Sequence, residues 1–211
     1  MANFFSATEE EQQEILISIW DKYKYGFIGL LILVVASIVS RDYLTDTRNT
    51  KNYESAVLFE RYLESEEGGS LSGQALLDAY PESLYSDLVR FNEVKVSVAE
   101  GNNQKAKDIL KTIINRRVDS SEFNPIVNAA QTRLSKIYLS NAEYQETLNL
   151  FNGQENLTAT LLELKGDAEN GLEMFDLAKI SYMQAMQSTP SQTTKALLAM
   201  KISDLPGVEI E

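Results

Sequence analysis

The chain has 211 residues, with 31 Asp+Glu against 19 Lys+Arg, and neither cysteine nor histidine. That composition excludes a disulfide framework, a Cys/His zinc site and any histidine-based acid–base or triad chemistry. The net charge of −12 argues against nucleic acid or an anionic lipid surface as a partner, while the length suffices for one domain with its own core.

Residues 1–19 form an acidic tail carrying Glu9, Glu10, Glu11 and Glu14, with Ser6 or Thr8 as candidate helix N-caps. Residues 25–40, YGFIGLLILVVASIVS, then run without a charge between Lys24 and Arg41. At about 1.5 Å per residue this run gives roughly 24 Å of helix, slightly short of the ~30 Å hydrocarbon thickness of a bilayer. The flanks supply the rest: Trp20, Tyr23, Tyr25 and Tyr43 suit the interfacial aromatic belts, and Lys24 and Arg41 can snorkel into the headgroups. The expected membrane helix is therefore 20–43. A cleaved signal peptide calls for a basic leader and a small-residue cleavage site, and this leader is acidic. A buried core helix calls for neighbours of similar apolar density, and no second run of that kind exists in the chain. Lys22 and Lys24 precede the span and Arg41, Arg48 and Lys51 follow it, so the positive-inside count leaves the orientation open.

Residues 44–70 are expected to be a helical stalk, with Tyr53, Ala56, Val57, Glu60 and Leu63 in one stripe, closed by a hinge at Glu66-Glu67-Gly68-Gly69-Ser70. Residues 71–211 form the body. A short helix over 71–79 is stopped by Tyr80-Pro81, since the residue before proline disfavours the helical region. Helix resumes at Ser83, and from there apolar residues recur at helical rather than alternating spacing, which makes the body all-α.

Three segments of this body align with one another: 88–114, 129–151 and 161–190. In the third, Gly166, Ala168, Phe175, Ala178, Tyr182, Ala185 and Pro190 fall at tetratricopeptide spacings. Gly166 and Ala178 are small where two antiparallel helices approach closely, Tyr182 fills the space beside them, Ala185 leaves room for the next helix, and Pro190 ends the hairpin. The repeat is irregular. Tyr144 to Phe175 is 31 residues and Ala106 to Thr147 is 41, the extra length being a loop over 115–124 before Pro125. Thr147 stands where such a repeat usually has alanine, and Asn170-Gly171 interrupts the run before the last second helix. A capping helix is expected over 191–202.

Stacked hairpins present a concave face lined by the first helix of each pair. In this register the face-lining candidates are Phe91 and Lys95, Thr132 and Lys136, and Glu163, Asp167 and Asn170, while Lys107 is expected on an outer face. Such a groove can hold a peptide; each charge taken singly also fits a merely solvated surface. No P-loop, dinucleotide fingerprint, EF-hand loop or nucleophile elbow is present, so no catalytic residue, cofactor or metal is assigned. Carboxylate pairs such as Asp167 with Glu169 or Glu66 with Glu67 lack a catalytic context. Asn156-Leu157-Thr158 matches the glycosylation acceptor, which matters only in a eukaryotic secretory route.

The acidic tail, single anchor, RLSKIYLSNAEYQETLNLF, LKGDAENGLEMFDLAKISYMQAM and the closing AMKISDLPG together resemble the YfgM-type ancillary subunit of the bacterial SecYEG translocon, over essentially the whole chain. That resemblance implies an inner-membrane protein with a cytoplasmic N-terminus and a periplasmic tetratricopeptide body. It implies SecYEG and a PpiD-type periplasmic chaperone as partners, and a link to a response regulator of the Rcs envelope-stress system. The expected function is that of an accessory to protein export. A membrane-anchored scaffold of another cell-envelope or division complex is the alternative reading of the same architecture.

Overall fold

The computed structural model describes residues 9–65, 70–117 and 123–207, and all of its regular structure is helical. It divides into two units, Met1–Val57 and Leu58–Glu211.

The described residues of the first unit lie within α1, Glu9–Glu64, which takes in the acidic tail from Glu9, the apolar run and the stalk. The candidate caps Ser6 and Thr8 lie outside the described residues. This helix is long and apolar enough to cross a membrane, and none of its apolar window is buried. Leu30, Ile32, Leu33 and Val39 are each about 60 % or more exposed, as suits a helix whose solvent is lipid rather than a core of its own.

The second unit begins with the last turns of α1. There Tyr62 is buried with Leu76 and Val89, and Leu58 and Phe59 pack alongside. Leu76 belongs to α2, Ser70–Ala79, which ends where Tyr80-Pro81 requires it to. Of the hinge expected over 66–70, residues 66–69 lie outside the described residues and Ser70 begins α2. Three hairpins follow: α3 (Leu84–Ala99) with α4 (Asn103–Asn115), α5 (Pro125–Ser140) with α6 (Tyr144–Phe151), and α7 (Ala159–Gly171) with α8 (Phe175–Ser188). The capping helix α9, Gln192–Ser203, starts from Ser191, whose hydroxyl accepts the Thr194 amide.

Each hairpin turns in the same way. Gly101, Ala142 and Glu173 all take positive φ, at 75°, 57° and 61°. The next amide in each case bonds back to a carbonyl in the helix just ended: Asn102 to Ser97, Glu143 to Tyr138 and Met174 to Glu169, at 2.8–2.9 Å. Small residues then let the helices close. Ala106, Thr147 and Ala178, all fully buried, occupy the matching place on each second helix. A Cβ on Gly166 would stand 2.5 Å from the Tyr182 ring, so α7 and α8 reach their separation only because position 166 has no side chain. Among the described residues four clusters form the core, and the largest joins the first two hairpins through Val94, Leu110, Ile113, Leu134 and Tyr138.

One buried charge network fixes the first hairpin. Asp87, 2 % exposed, accepts from Arg90 at 3.0 Å and from the Arg117 Nε at 2.8 Å, while Arg90 also donates to the Pro81 carbonyl and Arg116 pairs with Glu82. Burial, with Arg116 nearby, pulls the Arg90 guanidinium below its usual range, against the opposing pull of Asp87.

Candidate functional site

The first helices α3, α5 and α7 and the cap α9 meet side by side. Arg133 on α5 places its guanidinium 4.4 Å from the ring centroid of Phe91 on α3. Asn128 on α5 donates to the hydroxyl of Thr158, the N-cap residue of α7, at 3.1 Å. Lys201 on α9 reaches α7, with Nζ 2.7 Å from Glu163 and 2.7 Å from Asp167. The sequence-predicted positions therefore lie along one succession of helices, and their neighbours divide them into two groups.

At the α7–α9 end the polar groups satisfy one another. Asp167 also accepts the Tyr182 hydroxyl at 2.8 Å, and Lys201 sits 5.6 Å from the Tyr182 ring centroid. Burial would lower the Lys201 amine, but its bonds to Asp167 and Glu163 outweigh that and hold it above the usual lysine range. Burial, reinforced by the Asp167 carboxylate, pushes the Tyr182 phenol up as well. Glu169, 4 % exposed, points the other way and accepts the Ser181 hydroxyl at 2.6 Å. Both members of the Asp167/Glu169 pair are thus held in separate structural contacts. Asn170 is exposed at the end of α7.

At the α3–α5 end the cations stay open. Lys95 and Lys136 are exposed, Thr132 and Phe91 are half-buried, and none of Lys95, Arg133 and Lys136 meets a carboxylate among the described residues. Leu84 and Leu88, 51 % and 38 % exposed, continue the Phe91 stripe at spacings of four and three along α3. Sequence reasoning missed Arg133 and Lys201. The signal for Arg133 was its place one residue after a face-lining position; for Lys201, remote in sequence from both acids, there was none. Lys107 corrects an expectation: it is not on a free outer face but largely buried, bonded to Glu143 at 2.9 Å and lying over the Tyr138 ring. That bond from Lys107, opposed by burial, draws the Glu143 carboxyl below its usual range. Among the described residues no three acidic side chains converge as a metal-ligand set.

An all-helical stack of hairpins with a shared turn geometry, close-packed small residues and a face built from successive first helices defines a helical-repeat protein-interaction module. A family model for the tetratricopeptide repeat-like domain matches residues 18–207, and the chain belongs to that family. Proteins built on this repeat are in general non-catalytic scaffolds that bind other proteins. No curated protein and no solved structure matches the chain.

Proposed function

We propose that the chain is a single-pass protein of the bacterial inner membrane, its N-terminus cytoplasmic and its repeat body periplasmic, serving as an accessory of the Sec translocon. The observation that carries this reading is an N-terminal helix able to span a bilayer in the same chain as a repeat body whose first-helix face stays open at Lys95 and Lys136. The resemblance to the YfgM-type subunit supplies the location and the partners: SecYEG, a PpiD-type chaperone, and a stress-response regulator reached through the tail. Of the seven face positions, Phe91, Lys95, Thr132, Lys136 and Asn170 are proposed to meet the partner, while Glu163 and Asp167 are engaged by Lys201 and shape the end of the face. The mechanism is positional. An anchor confines the face to the bilayer surface and raises its effective concentration near the translocon exit, so modest affinity is enough.

Site-specific photo-crosslinking in living cells tests this. Probes replace Lys95 and Lys136 on the face, with a control at Thr112, exposed on the far side of α4. Adducts to the translocon or a periplasmic chaperone from Lys95 and Lys136 alone are expected. Adducts only to a division or envelope complex would transfer the protein to the scaffold reading, and adducts to cytoplasmic proteins would invert the topology.

A further inference from the structure

We infer that the chain carries a site of spontaneous covalent modification at Asn152-Gly153, where asparagine converts to aspartate and isoaspartate, while the same pair at Asn170-Gly171 is protected by the fold. Asparagine followed by glycine suits this reaction best, because the glycine nitrogen can reach the preceding side-chain carbonyl with no side chain of its own in the way. The sequence holds two such pairs, at 152–153 and 170–171. Their chemistry is equal, and their surroundings separate them.

Asn152 is the residue that ends α6, and Phe151 to Gln154 make a type II turn. Asn152 has φ −60° and ψ 130°, Gly153 has φ 76°, and the Gln154 amide donates to the Phe151 carbonyl at 3.1 Å. Asn152, Gly153 and Gln154 are all exposed. The Gly153 amide, which is the nucleophile, makes no hydrogen bond among the described residues, and nothing lies within 4 Å of where a Cβ on Gly153 would stand. The peptide between the two residues can therefore rotate toward attack without displacing a neighbour. Asn170-Gly171 lies inside α7, where the Gly171 amide is committed to the helical bond four residues back. The Asn170 carbonyl accepts the Glu173 amide at 3.0 Å, the Met174 amide ties the following turn to Glu169 at 2.9 Å, and a Cβ on Gly171 would lie 2.5 Å from the Tyr144 ring. Reaction there has to await local opening of the end of α7.

In the reaction the Gly153 nitrogen gives its proton to solvent and bonds to Asn152 Cγ. The Cγ–Nδ2 bond breaks, and ammonia leaves with a proton from water, which closes a five-membered imide. Water then adds to one of the two imide carbonyls. Opening at Cγ gives aspartate, and opening at the main-chain carbonyl gives isoaspartate, with one more carbon in the backbone between the second and third hairpins. Either product places a new carboxylate at the C-terminal end of α6, where the helix dipole disfavours it.

The test holds the full chain in detergent micelles at physiological temperature in weakly basic buffer, with and without urea. Peptides covering both pairs are followed by mass spectrometry for the gain of about one dalton that replacing an amide by a carboxyl brings. In the folded chain Asn152 should convert at least about tenfold faster than Asn170, because the rate of a helical site is scaled down by its opening equilibrium. In urea the two rates should converge to within about threefold, since the fold is what distinguishes them. Isoaspartate should accompany aspartate at 152, which identifies the imide as the route. Asn170 converting as fast as Asn152 in the folded chain overturns the inference, as does an Asn152 that stays intact in the folded chain while it converts in urea. A difference that persists unchanged in urea overturns it too, because local sequence rather than the turn and the helix would then set both rates.

Discussion

The second and third hairpins repeat one another 31 residues apart, with Ala142 matching Glu173, Ser135 matching Gly166 and Lys136 matching Asp167, yet they have opposite outcomes. In the third, Gly166 admits the Tyr182 ring, Tyr182 bonds Asp167, and Lys201 closes over Asp167 and Glu163. In the second, Ser135 keeps a buried hydroxyl with no hydrogen-bond partner, Thr132 is half-buried, and Lys136 is exposed with no carboxylate paired to it among the described residues. The register determines where a first-helix side chain points. The neighbouring helix determines whether it remains free to bind. A repeat protein can therefore assign one end of its face to stability and the other to recognition without altering the backbone plan.

The sharpest way to break the comparison is to remove what the third hairpin has and the second lacks. Gly166→Ala puts a Cβ 2.5 Å from a ring that is 1 % exposed and tied through its hydroxyl to Asp167. Overpacking of this kind costs about 1–3 kcal/mol and should outweigh the ~0.5–1 kcal/mol that alanine gains over glycine within a helix. Net destabilisation of about 1–2 kcal/mol is expected from urea unfolding of the full chain in detergent. A neutral result would mean that the close approach at Gly166 is not what holds α7 and α8 together.

Lys201→Met, next in size, leaves Glu163 and Asp167 facing each other without their cation and should cost about 1–2 kcal/mol, less than a fully buried pair because all three side chains keep some solvent. The same site gives the cap a pH dependence. Lys201 and Tyr182 both have folded values raised above their unfolded ones. Their stabilisation is therefore complete below the unfolded pKa values, about 10 for tyrosine and about 10.4 for lysine, and falls as pH rises through the folded values. Urea midpoints should drop above about pH 10 in the wild type. They should drop less in a Lys201→Met, Tyr182→Phe double variant. A wild-type midpoint flat to pH 11, on the order of one unit above those reference values, would refute the linkage.

Much of this was legible beforehand, and the limit has a physical cause. Gly166, Ala178, Tyr182 and Ala185 could be read because small and large residues at fixed helical spacing report one hairpin packing against itself. The stop at Tyr80-Pro81 and the cap after Pro190 could be read because proline and turn residues act locally, while residues 118–122 of the loop expected over 115–124 lie outside the described residues. Asn170-Gly171 looked like a departure from the pattern. In the fold a Cβ on Gly171 would lie 2.5 Å from the Tyr144 ring of α6, so the glycine answers to a neighbouring hairpin that its own register does not reveal. Lys201 pairs with acids 34 and 38 residues away and Lys107 with one 36 away. Charges at that separation carry no period, which is why the face positions could be read while their freedom to bind could not.

Two smaller effects sharpen the comparison between hairpins. Ser135→Ala removes a buried, unpartnered hydroxyl and raises helix propensity, so it should stabilise by about 0.5–1 kcal/mol. Loss of stability would show that a water or a partner satisfies that oxygen.

The smallest expected effect concerns the turns, where the three hairpins share a conformation but not a residue. Gly101 takes φ 75° without a Cβ, while Ala142 and Glu173 hold nearly the same angle with one. A side chain in the left-handed region costs about 1–2 kcal/mol, and glycine returns part of that through the greater entropy of its unfolded chain. Ala142→Gly and Glu173→Gly should thus each stabilise by about 0.5 kcal/mol, and Gly101→Ala should destabilise by a similar or larger amount. A triple set of urea midpoints reads all three signs together. If Glu173→Gly alone fails to stabilise, the third hairpin draws something from that side chain that the second does not draw from Ala142, and the two turns are equivalent in backbone only.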